Sequence, residues 1–331
     1  MIQERQLVEK ISRALLPHRA TSSRLKMGIG DDAAVISPAS RTEWVLSCDT
    51  FLEDTHFRAK AHPPDSVGYK ALSRATSDLA AMGATPRYFL LTLALPTTRT
   101  GPWLDAFLQG MARAARELEI SVIGGDTTRS HTVFISITVL GEIAPGRALT
   151  RSGARPGDII YVSGTLGRAQ LGLELILRSH ARNRRLRSVV QPHLYPKIRV
   201  ELGSWLARQR IATSSMDLSD GLSTDLARLC AASKVGAKIY ASKVPCVAIP
   251  AAAARKFSKR KLDPAQLALH GGEDYELLFT VSPRQAKKLS RAPRAATLTP
   301  IGEITRNRQI LLVAPDGLTK PLQSQGWDPF R

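Results

Sequence analysis

Cysteine is scarce: Cys48, Cys230 and Cys246 are the only three in 331 residues. Their number is odd and their spacing matches no zinc pattern. That usage points to a reduced cytosol and away from a disulfide scaffold or a structural zinc site. Aromatic residues make up only 5% of the chain. A stacking platform for single-stranded nucleic acid is therefore disfavoured. No apolar run reaches the roughly 18 residues of a membrane span, and the stretch from Tyr88 to Leu95 stops at Pro96. Met1 to Arg5 lacks the apolar core of a signal peptide, so a cytoplasmic protein without a membrane partner is expected. The phosphate-loop pattern Gly-x-x-x-x-Gly-Lys-[Ser/Thr] is missing, as are His-Arg-Asp and Asp-Phe-Gly. The two common nucleotide-handling signatures are thus excluded.

Acidic residues are also the minority, 28 against 47 Lys and Arg, for a net charge of +19. The basic residues bunch at Arg182, Arg184, Arg185 and Arg187, and again at Arg255, Lys256, Lys259, Arg260 and Lys261. A solvated, solubilising surface accounts for them better than nucleic-acid binding does. Apolar residues reach 43%, enough for a sizeable core.

Helical periodicity predicts helices over 2–16, 65–82, 103–118, from Gly167 to about Leu177, across 204–209 and over 222–232. Short apolar or alternating runs predict strands at 44–47, 88–95, 132–140, 158–162, 237–240, 275–281 and 310–313. The tract 181–187 reads as an exposed loop or helix end. Pro145-Gly146 and Arg155-Pro156-Gly157 bracket a polar connector, which puts a domain boundary near residue 148. Strands and helices mix in both halves, so the class is α/β or α+β.

The few acids are not scattered; they gather beside glycines. Gly28-Ile29-Gly30-Asp31-Asp32, taken alone, reads as an Asp-rich turn before it reads as a pair of carboxylates that needs a cation or a base nearby. Ser47-Cys48-Asp49-Thr50 delivers a carboxylate to what reads as a strand end, with an Asx turn as the structural alternative. Asp78 falls on the small apolar helix face of Ala71, Ala75 and Met82. A carboxylate there wants either Arg74, four residues earlier, or a metal. Gly124-Gly125-Asp126 follows an apolar run, as a phosphate-facing turn or a plain hairpin. In Asp217-Leu218-Ser219-Asp220-Gly221, Ser219 or Asp220 can cap the next helix, which explains one acid and not both. Gly271-Gly272-Glu273-Asp274-Tyr275-Glu276 opens a strand, as a hairpin turn or a pocket wall. Together Asp32, Asp49, Asp78, Asp126, Asp217 and Asp220 form an oxygen-only set without matched His or Cys. Hard oxygen ligands favour Mg²⁺, which in turn favours a phosphate-bearing substrate.

These motifs in this order, with His56-Phe57 and the run Ser77-Asp78-Leu79-Ala80-Ala81-Met82-Gly83-Ala84, resemble the thiamine-monophosphate kinase family. The wider superfamily holds aminoimidazole ribonucleotide synthetase, selenophosphate synthetase and a hydrogenase maturation factor. The resemblance runs from about residue 2 to Gly326-Trp327-Asp328-Pro329-Phe330. It implies a two-domain α/β (α+β) fold of the aminoimidazole ribonucleotide synthetase-like type. Residues 1–148 would bind ATP and Mg²⁺ and form a homodimer, and 149–331 would complete the site. It implies direct transfer of the ATP γ-phosphoryl group to thiamine monophosphate, the last step of thiamine diphosphate biosynthesis. The family's metal ligands map onto Asp32, Ser47, Cys48, Asp49, Asp78, Asp126, Asp217 and Asp220, with Asp126, Asp217 and Asp220 as the catalytic set. Nucleotide contacts map onto Gly125, Asp126, Arg151 and Ser219, and substrate contacts onto His56, Glu273 and Trp327. Cys48 departs from the family, which often has Thr there; a backbone contact would tolerate the exchange.

Overall fold

The computed structural model describes residues 4–15, 24–27, 29, 34–178, 183–257, 262–293 and 297–327. The chain divides into two units: Met1–Leu79 with Ala84–Gly146, and Ala80–Gly83 with Arg147–Arg331.

The first unit runs α1 (Glu4–Leu15), β1 (Leu25–Met27), β2 (Val35–Ile36), β3 (Glu43–Leu52), α2 (Pro64–Ala81), β4 (Thr85–Leu95), α3 (Pro102–Glu117), β5 (Ser121–Arg129) and β6 (Phe134–Ile143). Four strands form one sheet in the order β3-β6-β4-β5. Neighbours are antiparallel except β4 and β5, which the crossover helix α3 makes parallel. Alternation assigns the faces. Val45, Phe51, Phe89, Leu91, Leu93, Ile135, Ile137 and Val139 are buried on one face. The other face carries Leu46, 61% exposed, and Leu90, 36% exposed, with Cys48 and Thr50 also exposed.

The second unit adds β7 (Ile159–Ser163), α4 (Arg168–Ile176), α5 (Arg187–Leu194), α6 (Val200–Gln209), β8 (Ala212–Asp217), α7 (Leu222–Ser233), β9 (Gly236–Tyr240), α8 (Ala251–Ala254), α9 (Pro264–His270), β10 (Leu277–Val281), α10 (Pro283–Ala286), β11 (Leu298–Thr305), β12 (Ile310–Val313) and β13 (Thr319–Pro321). Its sheet has the order β13-β12-β9-β11-β7-β10-β8, antiparallel apart from β9 with β12. Every residue of β10 is buried, as a central strand packed on both faces requires.

Several expectations need correction. The strand predicted over 44–47 extends to Leu52, so Asp49 sits inside it and not at its end. Gly124, Gly125 and Asp126 lie within β5 and form no turn. The strand predicted from Tyr275 begins at Leu277, and 271–276 is irregular. The tract 181–187 is only partly irregular: Arg184–Leu186 form a 3₁₀ turn and Arg187 starts α5, while residues 181 and 182 lie outside the described residues.

Candidate active site

Asp32 lies outside the described residues. Asp49 and Asp78 come together where α2 crosses β3. Ser47 and Asp49 are two residues apart on β3 and point to the same face. Asp78 and Arg74, four apart on α2, share one side of that helix. Ser47 Oγ donates to Asp78 Oδ2. Arg74 Nε donates to Asp49 Oδ2 at 3.1 Å, and its guanidinium lies 5.2 Å from the Phe51 ring centre. The arginine suspected as the partner of Asp78 thus bonds the strand aspartate, and a serine hydroxyl meets Asp78.

Alternation sends Cys48 the other way. Its Sγ stands 3.4 Å from Ser136 Oγ on the open face, so only its backbone borders the acid cluster. Register places Asp126 on that open face as well. Thr50, Ser136, Thr92 and Asp126 form one cross-strand row; Asp49, Ile137, Leu91 and Gly125 form the next. Asp126 is exposed and does not join Asp49 and Asp78 within the unit. Gly125 has φ +150°, and a Cβ there would stand 1.9 Å from Leu91 O, so glycine is required by close approach. His56 follows β3, half-buried beside Phe51 with ring centres 5.7 Å apart. Its Nδ1 accepts the Leu52 N–H at 3.0 Å, which assigns the proton of the neutral ring to Nε2.

In the second unit the antiparallel pairing of β8 with β10 does the assembling. Asp217, the last residue of β8, is registered with Leu277, the first of β10. The loop leaving β8 and the segment entering β10 must therefore meet. Glu273 N donates to Ser219 O at 2.7 Å and Tyr275 N to Leu218 O at 2.9 Å. A third segment closes on them: Trp327 N donates to Asp220 O at 3.1 Å, leaving the indole 47% exposed. Asp217, Ser219, Asp220, Glu273 and Trp327 are thus brought together. Asp217 is buried; Ser219 and Asp220 are half-exposed. Arg151 is exposed on the strand-like run beside β8, where Thr150 O accepts the Ser215 N–H at 2.8 Å.

The remaining motif residues hold this corner. Neither Ser219 nor Asp220 caps α7; Gly221 occupies the cap position. The fully buried Asp225 instead accepts N–H bonds from Asp220 at 3.0 Å and Gly221 at 3.1 Å. Arg228 bonds both Asp225 Oδ1, at 3.0 Å, and Asp220 Oδ2. Asp274 accepts the N–H groups of Gly167, at 2.5 Å, and Ala169, at 2.9 Å, at the start of α4, where the helix dipole favours an acid. Burial still pushes its carboxyl up to about 7. Glu276 takes both oxygens of its carboxylate to Arg199, at 2.6 and 2.5 Å, and accepts Ser163 Oγ at 2.5 Å. Glu273 faces His193, as described below. Asp225, Arg228, Arg199 and His193 were not singled out from the sequence. For Arg228 a signal existed, since it follows Asp225 at the i,i+3 spacing of a helical ion pair.

The described oxygen donors fall into three sets: Ser47, Asp49 and Asp78; Asp126; Asp217 and Asp220. Among the described residues, no three His, Cys, Asp or Glu side chains converge tightly enough to hold a metal ion. The donors are nonetheless all hard oxygens on rigid elements, a set that fits Mg²⁺ better than zinc.

Residues 30–143 match the N-terminal domain of AIR synthase related proteins and residues 155–313 their C-terminal domain. The thiamine-monophosphate kinase of Synechococcus elongatus is 39% identical over 78% of this chain and 79% of its own. A crystal structure of thiamine-monophosphate kinase from Stenotrophomonas maltophilia superposes with a TM-score of 0.80 at 34% identity, covering 94% of this chain and 96% of that one. AaThiL complexed with AMPPCP and TMP gives a TM-score of 0.76 at 32% identity, covering 98% and 96%. With such identity over most of both chains, and both domains matched, the chain belongs to the thiamine-monophosphate kinase family.

Proposed function

We propose that the protein transfers the γ-phosphoryl group of ATP to the phosphate of thiamine monophosphate, giving thiamine diphosphate and ADP. The observation that carries this reading is the corner of the second unit, where the ends of β8 and β10 bring Asp217, Ser219 and Asp220 beside Glu273 and Trp327. A relative 32% identical is known in complex with AMPPCP and TMP, an ATP analogue and the same acceptor. An oxygen of the acceptor phosphate attacks the γ-phosphorus, and the bond from that phosphorus to the bridging oxygen breaks as ADP leaves. That oxygen is already ionised at neutral pH, so no strong general base is required.

Within this proposal Gly125, Asp126, Arg151 and Ser219 contact the nucleotide. Arg151 offers a planar guanidinium suited to phosphate. His56 donates from Nε2, and Glu273 and Trp327 contact the thiamine part, the exposed indole offering a face for an aromatic ring. Mg²⁺, held by Ser47, Asp49 and Asp78 with Asp32, by Asp126, and by Asp217 and Asp220, would screen the repelling phosphates. Cys48 would contribute its carbonyl and not its thiol.

A homodimer is part of the reading. The open face of the first sheet shows Leu46, Leu90, Cys48 and Thr50 to solvent, with the rings of Trp44 and Tyr88 tilted against each other at 6.1 Å on the same side. A second copy would cover that apolar patch. A cytoplasmic location fits the three free cysteines. No helix among the described residues is long and apolar enough to cross a membrane.

The test is an acceptor panel. Purified protein with Mg²⁺-ATP is given thiamine monophosphate, free thiamine or another phosphate monoester. Turnover confined to thiamine monophosphate supports the proposal. Equal or better turnover of another acceptor refutes the substrate assignment and keeps the kinase.

A further inference from the structure

Glu273 is held in place along its backbone. It adopts the left-handed conformation, φ +67°, with its N–H bonded to Ser219 O at 2.7 Å. The residues after it are anchored by the Asp274 cap and the Tyr275 bond to Leu218 O. None of these contacts orients its long side chain, whose rotamers are otherwise costly to fix.

A buried histidine faces that carboxylate. His193, on α5, has no exposed surface, and its Nδ1 stands 3.2 Å from Glu273 Oε2. α5 packs closely on α4 at this residue: at Gly172 of α4, a Cβ would come within 3.0 Å of His193 Cβ. A carboxylate only accepts, so a bond here needs the proton on Nδ1. The Glu273 side chain remains 22% exposed, so it is open to a ligand on its far side while His193 holds the near one.

We propose that His193 is a positioning residue that aims the Glu273 carboxylate at the thiamine substrate through its Nδ1 proton. This rests on the reading that Glu273 contacts that substrate. His193 does not touch substrate; its effect passes through one carboxylate. Loss of the Nδ1 proton therefore weakens acceptor binding and leaves the nucleotide half of the reaction intact.

The test uses the full chain and compares His193→Asn, whose amide N–H takes the place of Nδ1, with His193→Gln, which places its amide near Nε2, and with His193→Phe. KM for thiamine monophosphate, KM for ATP, kcat and Tm are measured for each. His193→Gln and His193→Phe are expected to raise KM for thiamine monophosphate at least fivefold, with KM for ATP and kcat within twofold. His193→Asn is expected to return within twofold of wild type, and His193→Gln to add under twofold in a Glu273→Gln background. Equal KM for the Asn and Gln variants overturns the proposal. So does a parallel loss of kcat, both KM values and Tm, which marks a purely structural histidine. Unchanged KM in Glu273→Gln alone removes the substrate role of Glu273, and the proposal with it. A wild-type protein that makes no thiamine diphosphate removes the function itself, which the same assay shows before any variant is read.

Discussion

Asp225 accepts the backbone N–H of Asp220 at 3.0 Å from a position with no solvent exposure. With the second bond, from Gly221, it shapes the loop that presents Asp217, Ser219 and Asp220. Asp225→Ala leaves both N–H groups without a partner in the interior, at about 1–3 kcal/mol each. Calorimetry is expected to show a Tm lower by several degrees, with a milder loss for Asp225→Asn, whose amide oxygen still accepts. An unchanged Tm in Asp225→Ala would contradict the loop-holding role.

Burial pushes the carboxyls of both Asp225 and Asp274 up to about 7. In the unfolded chain each returns to about 3.8. The folded state thus holds these protons more tightly. The stability they contribute is complete below the unfolded value and is lost as pH rises through about 7. Tm is expected to fall between pH 5 and pH 8, and Asp274→Asn to make that slope shallower whatever it does to Tm itself. The same slope in wild type and variant would count against it.

Asp126 is exposed on the sheet's open face and shares its row with Thr92. Among the described residues, no contact makes it a stability residue. Asp126→Asn is expected to keep its Tm and to lower kcat by on the order of 100-fold or more, the scale for removing an electrostatic stabiliser of a transferring phosphoryl group. Turnover at close to the wild-type rate would exclude Asp126 from the catalytic set.

Leu46 is 61% exposed in the middle of a strand, an expensive place for a large apolar side chain unless it is covered. Leu46→Asp is expected to shift the sedimentation coefficient from dimer to monomer at micromolar concentration. A wild-type protein that sediments as a monomer would refute the homodimer directly.

The elements with strong periodicity were legible in the sequence. The helix predicted over 65–82 and the helix predicted over 103–118 match α2 and α3 to within a residue, because each carries a full apolar stripe. β8 was not legible. Its sequence Ala-Thr-Ser-Ser-Met-Asp has no apolar alternation, yet Ser214 and Ser215 are buried, and Ser214 Oγ meets Thr280 Oγ1 at 2.7 Å. The Thr280 hydroxyl across the sheet, invisible in a linear reading, satisfies Ser214 and lets a polar strand be buried at the end of the sheet order. α9 left a signal that passed unread: Asp263 caps it by accepting the Ala265 N–H at 2.8 Å, and Pro264 stands at its first position. At the site, residue type pointed to the acids but not to their sides. The alternation of β3 parts Cys48 from Ser47 and Asp49, and the register of β4 with β5 puts Asp126 on the open face. His193 and Glu273 are 80 positions apart, and only the packing of α5 under the Glu273 segment brings them together.

Group transfer is followed by the fate of the γ-phosphoryl group. Wild-type protein is incubated with Mg²⁺ and ATP carrying a labelled γ-phosphoryl group in the presence of thiamine monophosphate, and the products are separated by chromatography. Labelled thiamine diphosphate and ADP are expected in equal amounts, with far less label transferred by Asp126→Asn in the same time. Label recovered as inorganic phosphate, or left in ATP although ATP is bound, would contradict the transfer.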